Sequence, residues 1–507
     1  MPSKEPEMGT PVQEFYRDTS VLVTGGTGFM GKVLMERLLR CCPALRQVFL
    51  IIRSKKGVDV DSRAEQLFND PLFDKLKQEV PKFRHKVTVV SGDCSLPQLG
   101  LSEADRQRLA REVDVVFHGA ATVRFDEPLG VAMDINVFGT QHILQLAKDM
   151  PRLKAFVHVS TAYCNCTRQR IEEEFYPLPL DVKELLAEFK AVDHKELDLV
   201  TPRFLGKYPN TYVYTKAVAE NVVKEYAGDL PVGIFRPAVV IGTRSEPQPG
   251  WIDNIYGPTG VLLGVGMGLL RVVNIDPNNV ANMVPVDMTV GALIASAWEV
   301  HSVHGAGGRG AGSLPVYNYV SSTRRPILWK EFSGTANRLG QEIASTKGIW
   351  YPTITLTRHY HVYLLLSFFL HILPALLVDA ATLAIFRKPR MLKIYQKIHR
   401  FVKVISYFGT HNWDFDDGNV VALWRRLSPE DRTLWDFDIA GLDWDDFIEK
   451  YMYGCRINLL KEDPSTMQQG RIRIRRLYWL HTATKTALVL LALKVHWVLF
   501  SSFFQAI

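Results

Sequence analysis

The stretch SVLVTGGTGFMGKVLMERLLRCC, residues 20–42, reads as one strand, one turn and one helix. Residues 20–24 form a short apolar, β-branched run, the pattern of a strand covered on both faces. Leu34, Leu38 and Leu39 recur at helical spacing, and Pro43 supplies the stop. Between strand and helix stand Gly25, Gly28 and Gly31. A glycine is needed first for the tight turn, next so that a pyrophosphate can approach the backbone, and last for close helix–strand contact. The helix N-terminus then offers unpaired N–H groups and partial positive charge to phosphate. A plain turn satisfies the same glycines; their place after an apolar strand near the chain start is what favours a dinucleotide.

Outward from this unit, further strands are expected at 48–52, 87–91, 113–117, 156–160, 232–235 and 316–320, with helical patterns between them. Strand–helix–strand units in series imply an α/β fold, a doubly wound parallel Rossmann sheet. The sheet is interrupted by an acidic stretch near 172–188, an apolar glycine-rich run at 257–270 and the glycine run at 305–312. At 507 residues the chain is about three times the usual ~150-residue domain, so two or three units are expected. Its 47% apolar and 22% charged content excludes a disordered or collagenous chain. A net charge of +7 is too small to argue for nucleic acid. The six cysteines fit no zinc spacing, and the polar N-terminus is not a secretory signal, so they read as reduced thiols.

The end of the second strand bears on which dinucleotide is held. Asp or Glu is expected about 20 residues past the glycines for the ribose hydroxyls of NAD. VFLIIRSKKG offers Arg53, Lys55 and Lys56 instead. A guanidinium suits a 2′-phosphate, which favours NADPH, although Lys55 and Lys56 read equally as a solvated basic loop. Asp93 in SGDCS either accepts from the adenine amino group or caps the next turn.

NTYVYTKAVAEN, residues 210–221, is a helical pattern placing Tyr212 and Lys216 on one face. Among 18 tyrosines one such pair is expected by chance, so the spacing alone decides nothing. HVSTAY at the end of the fifth strand adds Ser160 and Thr161 at the carboxyl edge of the sheet, where ligands bind. A hydroxyl, a phenol and an ammonium there make a reductase site. Thr161 would hydrogen-bond the substrate oxygen, Tyr212 would donate the proton, and Lys216 would lower the tyrosine pKa while holding the ribose. His118 reads as packing beside the cofactor. His359, His361 and His371 lack carboxylate company, so no metal is expected. Arg124 and Lys207 are candidates for phosphates of a substrate.

The last third differs in kind. Residues 359–378 contain no Lys, Arg, Asp or Glu, a length that can enter a bilayer, with Pro374 and Asp379 expected to interrupt or close the segment. RKPRMLKIYQKIHRFVK, residues 387–403, carries seven basic and no acidic residues and reads as a basic amphipathic helix at a membrane surface. Residues 477–507 are apolar apart from Lys485 and Lys494 and read as a tail anchor.

TGGTGFMGK, HGAATVRFD, NVFGT, HVSTAY, Tyr212 with Lys216, and FRPAVVIG together resemble an extended short-chain dehydrogenase/reductase. PGWIDN, GPTG, VPVDM and YHVYLLLSFFLHILPALL extend the resemblance, over nearly the whole chain, to the alcohol-forming fatty acyl-CoA reductases of insect type. The resemblance implies Thr161, Tyr212 and Lys216 as catalytic positions, with Ser160 as the second choice for the hydroxyl. It implies a cofactor site of Gly25, Thr27, Gly28, Phe29, Met30, Gly31, Arg53, Asp93, Cys94, Ala120, Pro237 and Val239, together with Tyr212 and Lys216. It further implies NADPH-dependent reduction of a long-chain acyl-CoA to the alcohol by two hydride transfers through an aldehyde.

The expected organisation is a disordered N-terminus (1–17), a reductase domain (18–345), a mainly helical acyl- and membrane-associated domain (346–476) and the anchor (477–507). Expected partners are the long-chain acyl-CoA and membrane lipid, with a homodimer left open. The expected location is the endoplasmic reticulum or peroxisome membrane, with the catalytic domain facing the cytosol. A sterol or sugar-nucleotide reductase or epimerase on the same sheet, or a cofactor-binding scaffold without turnover, are the alternatives that fold alone admits.

Overall fold

The structure, a computed structural model, describes residues 9–55, 57–193, 196–305, 314–386 and 388–505. Lys56, Arg387, residues 1–8 and all but the first position of the 305–312 glycine run lie outside the described residues. All seven expected strands form, each within two residues of its expected bounds: β1 (Ser20–Thr24), β2 (Gln47–Ile52), β3 (Val87–Ser91), β4 (Val115–His118), β5 (Ala155–Val159), β6 (Val232–Pro237) and β7 (Val316–Tyr319). They make one seven-stranded sheet in the spatial order β7-β6-β5-β4-β1-β2-β3, with every pairing parallel. β1 and β4 are buried along their full length, which is why the sequence shows unbroken apolar runs there rather than alternation. The order reverses between β1 and β4. That reversal opens the crevice at the carboxyl ends of the strands where such sheets receive ligands.

The chain folds as two contact-dense units that are interleaved along the sequence. The first comprises residues 1–251, 280–327 and 412–443, and the second comprises 252–279, 328–411 and 444–507. The expected division into consecutive segments differs from this. Asp414–Phe415, far along the chain, pairs in parallel with Arg170–Ile171 and so belongs to the sheet-bearing unit. The N-terminus differs too. Pro11–Tyr16 is a helix capped by Thr10 that buries Val12, Phe15 and Tyr16, and the Tyr16 hydroxyl donates to the Ile294 carbonyl at 2.8 Å. Order therefore begins well before residue 18, because a capping box and three apolar residues suffice to dock one turn and a half.

In the second unit, Val272–Asn274 pairs with Thr355–Thr357, and Leu270, Val272, Val273, Ile275, Tyr363 and Val402 form the core. The apolar segment is one helix, Tyr360–Ala384, and Pro374 does not break it. A π-turn at Phe368–Ile372 precedes Pro374, which then sits in the first turn of the resumed α-helix, where it has no hydrogen bond to forfeit. The basic helix runs from Met391 to Thr410. Met467–Gln505 is a single 39-residue helix, starting ten residues before the expected anchor. Tyr360–Ala384 and Pro464–Ser502 are each long and apolar enough to cross a membrane.

Candidate active site

The site is built where β1, β4 and β5 end. Gly25 has φ +75°, and a Cβ there would meet the Ala120 amide and the Gly119 carbonyl at 2.7 Å. A Cβ at Gly31 would run into the Gly25 carbonyl oxygen, with the Gly26 Cα at 2.6 Å. Only glycine permits this close approach of helix Phe29–Cys41 to the turn. Gly28 is the N-cap and has no side chain to offer, and the helical ladder starts at the Lys32 amide, which donates to the Gly28 carbonyl at 2.9 Å. The first-turn amides of Phe29, Met30 and Gly31 thus suit an external anion such as a pyrophosphate. Phe29 stacks on Trp251 at 5.4 Å, holding this turn in place. Thr27 is half-buried beside it.

Arg53 follows β2, and its Nη1 donates to Asp93 Oδ2 at 3.3 Å. Asp93 resolves its two readings toward capping: Oδ1 accepts the Ser95 amide at 3.0 Å and the Ser95 hydroxyl at 2.8 Å. Partial burial works against its charge, but Ser95 and the Arg53 guanidinium together hold the carboxyl below the usual range. Cys94 is buried, and burial pushes its thiol up to about 12, so any part it has in binding comes from its backbone and shape rather than a thiolate. Lys55 forms an isolated bridge with Val58 in the loop that follows β2.

The catalytic candidates converge. Helix Thr211–Tyr226 is capped by Asn210, whose side chain accepts the Val213 amide at 3.0 Å. Tyr212 lies in its first turn, half-buried, with its ring stacked on Phe125 at 5.6 Å and its phenol beside the Thr161 hydroxyl. Lys216 is buried, and its ammonium donates to the Val159 carbonyl at 2.6 Å. Ser160, also buried, neighbours the Cys164 thiol instead. The two adjacent hydroxyls therefore separate, Thr161 toward Tyr212 and Ser160 toward the protein interior.

The electrostatics depart from one expectation. Burial raises the Tyr212 phenol above its ordinary value, with the Thr161 hydroxyl opposing. Lys216 does not contribute a lowering here; its ammonium is turned to the Val159 carbonyl. Lys216 itself is brought down to about 8 by burial, with Glu220, one turn further along the helix, acting in the other direction. Glu220 is in turn held by Arg236 at 2.6 Å, both fully buried.

Two residues without an expected catalytic role tie the site together. Asn136 accepts the Thr122 amide at 2.9 Å and donates to Thr215 Oγ1 at 2.9 Å, joining the loop after β4 to the Tyr212 helix. His118 pairs through Nδ1 with Thr24 Oγ1 at 2.8 Å and through Nε2 with Thr140 Oγ1 at 3.1 Å. The Thr24 oxygen also accepts the Ala120 amide at 3.2 Å, so this network fixes the loop on which Ala120 stands. Burial, then the nearby Lys216 charge, drives His118 down to about 3, which makes it a neutral support and not a base. Asn136 lies in the NVFGT stretch, so the signal was on view without its geometry. Pro237 ends β6 and its carbonyl accepts the Ala162 amide at 2.9 Å; Val239 follows in the short strand Val239–Ile241. Arg124 is neutralised by Asp126 at 3.4 Å, and Lys207 is exposed. Among the described residues no group of three or more His, Cys, Asp or Glu could hold a metal.

Two family models match the chain, both described as male sterility protein: an NAD-binding domain over residues 23–293 and a second domain over residues 370–462. The chain is 44% identical over 483 residues to a fatty acyl-CoA reductase of Drosophila melanogaster, covering 95% of this chain and 92% of that protein. It is 38% identical to fatty acyl-CoA reductase 1 of Xenopus laevis, covering 96% of this chain and 93% of that protein. Fatty acyl-CoA reductase 2 of Mus musculus is 36% identical, covering 95% and 92%. Among solved structures, the terminal R domain from the myxalamid pathway superposes with a TM-score of 0.57 at 19% identity, covering 88% of this chain and 92% of that one. The reductase domain of a Mycobacterium tuberculosis nonribosomal peptide synthetase gives a TM-score of 0.55 at 20% identity, covering 87% and 92%. These last two bear on the fold alone.

Proposed function

The chain belongs to the fatty acyl-CoA reductase family, and from that premise we propose that it reduces a long-chain fatty acyl-CoA to the fatty alcohol, releasing CoA, with NADPH as the reductant. The observation that carries this reading is the grouping of Thr161, Tyr212 and Lys216 at the carboxyl edge of the sheet. The glycine cradle and the uncapped first turn fit a pyrophosphate, and Arg53 at the end of β2 fits a 2′-phosphate. NADPH, when bound, supplies hydride. At the thioester, the Thr161 and Tyr212 hydroxyls receive the developing oxyanion, and its collapse expels CoA as thiolate and leaves an aldehyde. At the aldehyde, Tyr212 gives its proton to the carbonyl oxygen as carbon is reduced, and Thr161 keeps that oxygen in line. A phenol raised by burial is protonated throughout the physiological range, which is the form a donor needs. Lys216, whose ammonium donates to the Val159 carbonyl, would hold the nicotinamide ribose once the cofactor is bound.

An apolar lining suited to alkyl carbon exists in the second unit, a cavity of about 100 Å3 bordered by Val261, Val265, Trp329, Phe332, Ile354 and Leu356. Each buried CH₂ contributes about 0.8 kcal/mol, so binding should strengthen with every methylene the protein covers. Incubation with NADPH and palmitoyl-CoA, followed by extraction, tests the reading. We expect two NADPH consumed per alcohol formed and little aldehyde trapped by a carbonyl reagent, with more trapped from short chains. Stoichiometric aldehyde at one NADPH per CoA freed would show that the reaction stops halfway. Thr161→Ala should impair turnover more than Ser160→Ala, because only Thr161 meets the phenol; the reverse order, measured as kcat, would exchange their roles.

We further propose that the catalytic unit faces the cytosol on an endoplasmic reticulum or peroxisome membrane, held by the helix Met467–Gln505, with Tyr360–Ala384 re-entering the membrane, lying on its surface or packing within the protein rather than spanning. The first-unit segment 412–443 would be cytosolic on this reading. Protease protection of a tag near Gly418 in sealed microsomes would contradict it.

A further inference from the structure

Within the second unit, the helices Tyr360–Ala384 and Met391–Thr410 run antiparallel as a hairpin. Asp379 joins them at the turn, accepting the amides of Arg390, Met391 and Leu392 at 2.9 to 3.0 Å. Midway, His371 Nδ1 and His399 Nε2 lie 3.1 Å apart, and His371 stacks on Tyr395 at 5.1 Å. Beyond this clasp the helices part and enclose an open cavity of about 820 Å3. One wall is largely apolar, with Leu364, Phe368 and Ile372 beside Tyr360, Tyr363 and Ser367. The other carries Gln396, Arg400 and Lys403.

Three observations limit what this cavity can take. Lys393, Lys397, Arg400 and Lys403 are exposed on the second helix at three- and four-residue spacing, where like charges repel. The sequence has no acidic residue from 380 to 413, and among the described residues none of these four cations has a carboxylate within ion-pair distance. The facing helix exposes apolar side chains, Leu364 at 45% and Phe368 at 48%. Uncompensated cations on one wall and uncovered hydrocarbon on the other call for an amphiphile with an anionic head. A cavity of about 820 Å3 is also far larger than a bare phosphate requires.

The geometry points to this cleft as a binding site for one anionic glycerophospholipid, its phosphate on Arg400 and Lys403 and an acyl chain along Tyr363, Leu364 and Phe368. The inference rests on the reading of the C-terminal unit as membrane-associated, and adds to it selectivity for lipid charge. Each basic group near a bilayer surface is worth roughly a fivefold gain for an anionic lipid, so two give about twenty- to thirtyfold.

The test uses the full chain in neutral detergent, titrated with fluorescently tagged phosphatidate or phosphatidylcholine. Phosphatidate should bind at least about tenfold more tightly, R400Q/K403Q should erase the preference to within about twofold, and the charge-conserving R400K/K403R should keep it. Excess inorganic phosphate and excess coenzyme A should leave the tagged phosphatidate bound. Equal binding of the two lipids, a preference that survives in R400Q/K403Q, or full displacement by phosphate or by coenzyme A would each overturn the assignment. Flotation of the same protein with pure phosphatidylcholine vesicles reports membrane association separately. Flotation without phosphatidate preference would leave that association standing and remove the lipid site. NADPH-dependent turnover of palmitoyl-CoA should be equal in R400Q/K403Q and the unaltered chain.

Discussion

Tyr212→Phe should lower turnover of palmitoyl-CoA by at least about 100-fold while NADPH still binds. The substitution keeps the ring, and with it the stacking on Phe125 at 5.6 Å and the packing of the Thr211–Tyr226 helix. It removes one oxygen, the group that meets the Thr161 hydroxyl and the proton that the substrate oxygen must receive. No other described residue replaces it: Lys216 is spent on the Val159 carbonyl, and His118 is held neutral inside the Thr24–Thr140 network. Because burial keeps the native phenol protonated, the loss should persist across pH 6 to 8 rather than be recovered by acid, on the scale of ordinary phenol ionisation near 10. Single-turnover rates, with cofactor binding followed by NADPH fluorescence, separate chemistry from binding. Near-normal rates would move the proton donor elsewhere.

Arg53→Ala should weaken NADPH by about ten- to a hundredfold and leave NADH almost unchanged. A charge-assisted bond to phosphate is worth roughly 1.5–3 kcal/mol, and the exposure of this guanidinium places the effect toward the lower end. Arg53 stands at the end of β2 against Asp93, so the carboxylate both orients it and competes for it. Removing the arginine leaves Asp93 still held by Ser95, which makes a general collapse of the pocket an unsuitable explanation for a selective loss. Titration of both cofactors against the variant measures the ratio. Equal losses would show that Arg53 serves the turn and not the 2′-phosphate.

The strands, the glycine turn and the Tyr212 helix were legible in the sequence because each depends on local chemistry. A strand buried on both faces must be apolar at successive positions, and β1 therefore carries its bounds in its composition. A turn that brings Gly31 against the Gly25 carbonyl excludes any side chain, so the glycines announce it. The placing of Tyr212 and Lys216 on one helix, one turn apart, follows from their spacing.

What the tertiary structure alone decided concerns groups far apart in the chain, or adjacent ones with opposite surroundings. Ser160 and Thr161 are neighbours and chemically alike; only the packing of Cys164 on one side and Tyr212 on the other separates them. Asn136, which holds the Thr122 amide, reaches Thr215 across 79 residues, a link that no periodicity encodes. The assignment of residues 412–443 to the sheet-bearing unit, and of 252–279 to the other, rests on long-range pairings such as Phe415 with Ile171. The shift of the Tyr212 phenol likewise came from burial, a property of everything packed around it, where the sequence showed only a lysine one turn away. Local pattern determines which elements form; the free energy of burying them together determines which side chains meet.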